Sequence, residues 1–148
     1  NVAAKVEGNL AAAGASWSQY AYLDGAMCES CFSNWGGAFP TSTRMVSDLS
    51  ILQTWMNKGK KLYVIVYPPD TSEASNRFTY AAALLVAESG RTYFHFGTSG
   101  QFNPLADYSL ALGNPVGLYS CSGAICTRQF QYGRVTVDFA KRVGTITK

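Results

Sequence analysis

Histidine is nearly absent from this sequence: His95 is the single one among 148 residues. A His-rich metal centre is excluded by that count alone. A serine-hydrolase triad lacks its parts as well, because no Gly-x-Ser-x-Gly elbow occurs and no evident serine and acid accompany the histidine. Charged residues are scarce at 14 %, and the net charge is only +3. Apart from Lys58, Lys60 and Lys61, the cations are scattered. No basic stripe exists to track a phosphate backbone, so nucleic acid is not an expected partner. Nor is there a run of about 18 apolar residues, so no membrane-spanning helix is expected. Gly97-Thr98-Ser99-Gly100 lacks the lysine and spacing of a phosphate loop. No metal or other cofactor is expected. Residues 1–18 lack the charged start and long apolar stretch of a signal peptide. The opening Asn1-Val2-Ala3-Ala4 reads as a processed or truncated start.

What is plentiful is apolar and aromatic. The apolar fraction is 47 % and aromatics reach 14 %, with nine Tyr and eight Phe. That composition can fill a real core. Aromatic faces also suit sugars, although packing is their commoner use. The four cysteines form two close pairs, Cys28 with Cys31 and Cys121 with Cys126. Three pairings are conceivable. Two local disulfides are the plainest reading and imply an oxidising, secreted setting. A four-thiolate zinc site and a thioredoxin-like redox pair are the alternatives. The redox pair would want its first cysteine at a helix N-terminus, whereas Cys28 ends a strand.

Residues 2–18 are Ala-rich and could hold a short helix, broken at Gly8 and Gly14. Residues 20–29 read as a turn feeding a short buried strand. Residues 41–58 have helical spacing, with Met45, Leu49, Leu52 and Met56 on one stripe and Gly59 as the stop. Residues 61–67 are a continuous apolar run, as in a strand buried on both faces, and Pro68-Pro69 ends it. Residues 72–89 form a second helix closed by Gly90, and residues 92–96 a third strand. This alternation predicts βαβ units and a parallel sheet. Beyond residue 103 the pattern changes. One short helix is expected within 103–112, then turn chemistry. Residues 126–131 and 134–138 face each other as a hairpin across Tyr132-Gly133, and 143–147 is one more short strand. The chain is thus one domain over 1–148, with 118–148 as a β-rich tail.

In open α/β sheets and barrels, reacting groups gather at the carboxyl ends of the strands. Asp24 precedes its strand and belongs to the opposite end. Glu29 ends that strand and is the best candidate catalytic carboxylate. Asp70, after the second strand, is the second choice, and Asp107, after the third, the third. Asp48, Glu73 and Glu88 sit on predicted helices and are expected to be solvated. His95 is read as a lining residue or a donor to a sugar hydroxyl.

Asp24-Gly25-Ala26-Met27-Cys28-Glu29 resembles the Asp-Gly-x-x-x-Glu/Asp strand of glycoside-hydrolase-like TIM barrels. Three later blocks fit the same pattern in order: Gly59-Lys60-Lys61 leading into residues 62–67, Tyr93-Phe94-His95-Phe96, and residues 108–117. The tail of residues 127–137 is similar to the Arg-x-Phe-x-x-Gly-x-Val-x-Val hairpin that closes such domains. The resemblance spans roughly residues 20–139. It implies an α/β fold: a partial (β/α) barrel, the C-terminal half of a TIM barrel, with a C-terminal β-hairpin. It also implies carbohydrate activity, with Glu29 at the position of an active-site acid. A full barrel takes about 250 residues and eight strands. A half-sheet exposes edges and apolar faces. The expected partners are therefore an oligo- or polysaccharide and a second copy or an N-terminal half chain.

Two functions follow. One is a glycoside hydrolase, or part of one, that cleaves O-glycosidic bonds with Glu29 and Asp70 as its carboxylates. Trp35, Tyr67, His95 and Tyr108 would line the sugar cleft. The other is a non-catalytic truncated homologue that binds glycan or builds an assembly.

Overall fold

A computed structural model describes residues 4–6, 24–34, 37–97 and 104–148. Trp35, most of the predicted 2–18 helix and the loop residues 98–103 lie outside the described residues. Four strands form a parallel sheet in the order β1-β2-β3-β4. They are β1 (Ala4–Val6), β2 (Gly25–Glu29), β3 (Lys61–Val66) and β4 (Thr92–Phe96). Two helices fill the crossovers, α1 (Ser42–Asn57) and α2 (Glu73–Leu84). β1 corrects the helical reading of its three residues: parallel pairing with β2 overrides the helical preference of alanine.

Local chemistry sets the helix boundaries. Thr41 caps α1 by accepting from the Arg44 N–H, and Ser72 caps α2 by accepting from the Ser75 N–H. Gly59, at φ 73°, takes the left-handed turn that ends α1. The predicted stripe Met45, Leu49, Leu52 and Met56 is wholly buried. The α1 end is tied to β3, because Trp55 Nε1 donates to the Lys61 carbonyl at 2.9 Å. α2 is shorter than its sequence pattern, closing at Leu84 rather than Ser89. Arg128, on the neighbouring sheet, takes up carbonyls at that end. Its Nη1 donates to the carbonyls of Leu84 at 3.4 Å and Ala87 at 2.7 Å, taking groups a longer helix would use. Its Nη2 meets Glu88 Oε1 at 2.7 Å.

The tail is a full second sheet. β5 (Ser120–Ser122), β6 (Ile125–Phe130), β7 (Gly133–Asp138) and β8 (Val143–Thr147) run as an antiparallel meander. The hairpin turn is Gln131-Tyr132, one residue earlier than the sequence suggests. Gly133 opens β7 because a Cβ there would run into the Thr147 carbonyl oxygen. The expected short helix near 103–112 is a single 3-10 turn, Ala106–Ser109.

The two sheets share α2. On one side Val64, Val66 and Phe96 of the parallel sheet join Phe78, Ala82 and Leu85 in the buried core. On the other, Cys126, Phe130, Val135 and Val137 extend that core. β8 comes so close that a Cβ on Gly144 would stand 2.7 Å from Ala81 Cβ and 2.8 Å from the Arg77 carbonyl oxygen. A fully buried aliphatic or aromatic side chain contributes about 1.5–3 kcal/mol, and this core holds many.

Candidate functional site

Alternation along a strand sends neighbouring side chains to opposite faces. Ala26, Cys28, Leu62, Val64 and Val66 take the helix face and are buried. The register aligns the others on the far face in two rows. One is Met27, Tyr63 and Tyr93; the other, nearer the carboxyl ends, is Glu29, Ile65 and His95. Tyr67, just past β3, donates its hydroxyl to Glu29 Oε1 at 3.2 Å. Glu29, Tyr67 and His95 thus gather at the end of the sheet where a parallel α/β fold assembles its chemistry.

The chain beyond Glu29 is bent sharply and fixed firmly. Ser30 and Phe32 adopt left-handed φ values of 59° and 57°. Such values are uncommon for non-glycine residues, and for a bulky one they are outliers. The disulfide Cys28–Cys31 closes around the bend. The Cys31 N–H donates to the Ile65 carbonyl at 3.0 Å, carrying the β2–β3 contact past Glu29. Phe32 is fully buried, its ring centroid 6.2 Å from that of Phe139. Strained backbone of this kind persists only where the surroundings over-determine it, and it concentrates at working sites.

The other sequence candidates fall elsewhere. Asp70 lies on the connection into α2. Its Oδ1 accepts from the Ser72 N–H at 2.9 Å and its Oδ2 from the Ser75 hydroxyl at 3.0 Å. Hydrogen bonds from Ser72 first, then Ser75, hold its carboxyl below the usual range, so it is ionised at neutral pH. Tyr108 is on the helix side. It donates to Asn76 Oδ1 at 2.6 Å and packs edge-on to Tyr80, with centroids 4.6 Å apart. Asp107 is paired there with Arg77, which also holds Glu73 at 2.7 Å. The structure therefore brings Tyr67 and His95 to the face of Glu29 and keeps Tyr108 and Asp107 beside α2.

Two features were missed at the sequence level. Tyr63 and Tyr93 stack with centroids 4.9 Å apart and planes 12° apart, on the same face as Glu29. With Met27, Ile65 and His95 they line an apolar depression of about 300 Å³. The apolar runs of β3 and β4 hid them, although every second residue of those runs was the available signal. Asp48, expected in solvent, is 2 % exposed on the inner side of α1. Desolvation pushes its carboxyl up to about 6, against the opposing charge of Arg44 at 3.8 Å.

All four cysteines are paired as the two local bridges, Cys28–Cys31 and Cys121–Cys126. Among the described residues no three His, Cys, Asp or Glu side chains converge as a metal site. No described helix is long and apolar enough to cross a membrane.

The family model described as hypothetical glycosyl hydrolase family 15 matches residues 1–134. The chain belongs to that family. Membership in this glycosyl-hydrolase-like family agrees with the glycoside-hydrolase-like resemblance of the sequence. The match spans all of the parallel sheet and both helices, and it ends within β7. Curated proteins give no match to the chain.

Proposed function

We propose that this chain carries the carboxylate end of a glycoside-hydrolase active site, with Glu29 as the working group. One observation carries the reading: Glu29 ends an inner strand of a parallel sheet, receives the Tyr67 hydroxyl at 3.2 Å, and is followed by the bent, bridged segment of residues 30–32. Tyr67 orients one carboxylate oxygen, while His95, two strands away in the same row, can meet a sugar hydroxyl. Asp70, held ionised, has the chemistry of a nucleophile or base, as the second member of a carboxylate pair requires. The separation of the two groups in the assembled site sets the outcome: about 5–5.5 Å for retention, about 6.5–9.5 Å for inversion. Both disulfides fit a secreted protein.

The same reading extends to the fold. Parallel sheets are normally covered on both faces. Here α1 and α2 cover one, while Tyr63 and Tyr93 on the other are 36 % and 45 % exposed. A (β/α) barrel turns that second face inward. In this reading the parallel sheet is one part of a barrel, completed by a second copy or by an N-terminal half chain.

Glu29→Gln tests the function in the assembled protein, with chromogenic glycosides and a panel of oligosaccharides. Turnover should fall by about 10³-fold or more while sugar binding is kept, since a carboxamide preserves shape but cannot transfer a proton or attack. Undiminished turnover would remove Glu29 from the mechanism. Sugar binding with no turnover in the unmutated protein would favour the glycan-binding homologue.

A further inference from the structure

We infer that the Cys28–Cys31 bridge is a positioning device for Glu29, holding its carboxylate on the Tyr67 hydroxyl. The bridge spans a separation of three residues, so Glu29 and Ser30 are the only residues inside its ring. Glu29 is also the last residue of β2 in register with β3, opposite Ile65. Past that point only the Cys31 N–H bond to the Ile65 carbonyl continues the contact with β3, and the direction of Glu29 depends on the next peptide units. Those units are in an unfavourable conformation, with Ser30 at φ 59° and Phe32 at φ 57°. L-residues leave that region when nothing holds them.

Three restraints hold them here. The Cys31 N–H reaches the Ile65 carbonyl at 3.0 Å, and the Ser33 N–H closes on the Ser30 carbonyl at 3.2 Å. Phe32 is locked in the core. Only the disulfide adds a second covalent link across Glu29. With it open, Ser30 relaxes to the right-handed region, the peptide after Glu29 turns, and the carboxylate swings off Tyr67. Both bridge sulfurs belong to fully buried residues, so the bridge acts from beneath the site and touches no substrate. The second bridge, Cys121–Cys126, pairs directly opposed residues of β5 and β6 and brackets no candidate carboxylate. It serves as an internal control.

The test is a double-mutant cycle of Glu29→Ala and Tyr67→Phe, read as unfolding equilibria in denaturant. With both bridges intact, the pair should couple by about tenfold, the size of one charge-assisted hydrogen bond. In Cys28→Ala/Cys31→Ala the coupling should fall below about twofold. In Cys121→Ala/Cys126→Ala stability should drop while the coupling stays. A bridge with a merely structural role would lower stability and leave the coupling in place, which overturns the inference. So would equal loss of coupling in both bridge variants, or no coupling in the intact protein. Should Cys28→Ala/Cys31→Ala fail to fold, the cycle is run in Cys121→Ala/Cys126→Ala with and without a dithiol reductant. Global unfolding on reduction would then overturn the inference too. The consequence for turnover rests on Glu29 as the working carboxylate, but the cycle reads unfolding alone. The expected coupling in a protein that cleaves no glycoside would retire the enzymatic reading and leave the positioning role intact.

Discussion

Asp48 shows how much one buried charge can cost. Its carboxyl titrates near 6 in the folded chain against an ordinary 3.8. Between those values the folded protein binds the proton more than the unfolded one does, so stability falls as pH rises through that window. Above pH 6 the full cost is present, on the order of 2–3 kcal/mol. Asp48→Asn should therefore raise the melting temperature at pH 7.5 and leave it nearly unchanged at pH 4. A lower melting temperature at pH 7.5 would mean that the ion pair with Arg44 outweighs desolvation. The sequence placed Asp48 on a helix correctly, but helical spacing does not reveal what packs over a polar position. Glu29 was legible because strand polarity alone assigns the carboxyl end. Asp70 was placed on the right connection, but its engagement by Ser72 and Ser75 depends on side-chain geometry that a sequence does not display.

Among the elements, those bounded by strong punctuation were read well. Gly59, Pro68 and Gly90 delimit α1, β3 and the α2 region, and the apolar stripes of both helices are buried as their spacing indicates. β5 was not read. Its three exposed residues carry no pattern and gain strand geometry from β6 and the cross-strand bridge. β1 owes its conformation to β2. At Gly144, where β8 meets α2, there is no room for a Cβ. Gly144→Ala should cost about 2 kcal/mol through overpacking, lowering the melting temperature by roughly 5 °C. An unchanged melting temperature would show that the meander can slide away from α2 without loss.

For the whole molecule, the feature that matters is the face of the parallel sheet opposite α1 and α2, where Tyr63 and Tyr93 are partly exposed. That face carries a stacked tyrosine pair and an apolar depression, with little charge to solvate them. Purified alone, the 16.0 kDa chain should sediment at about twice that mass, and association should shield Tyr63 and Tyr93 from solvent quenchers. A monomer that gains activity on addition of an N-terminal half chain would identify the other completion. A monomer with both tyrosines freely quenched, alone or mixed with that half chain, would contradict the barrel reading. The strand–helix alternation indicated a parallel sheet, while the barrel was what the resemblance implied. Which face is open could not be read, because β3 is apolar on both sides.

The shared helix has a mechanical consequence. Asp70 and Ser72 secure its start beside the carboxyl end of the parallel sheet. Arg128 grips the turn at its finish from within the meander. A rod fastened at both ends transmits displacement instead of absorbing it. The C-terminal sheet is therefore the footing of a strut whose other end stands beside Asp70. Insertions in the meander's hairpins would be felt at the Asp70 end of that helix.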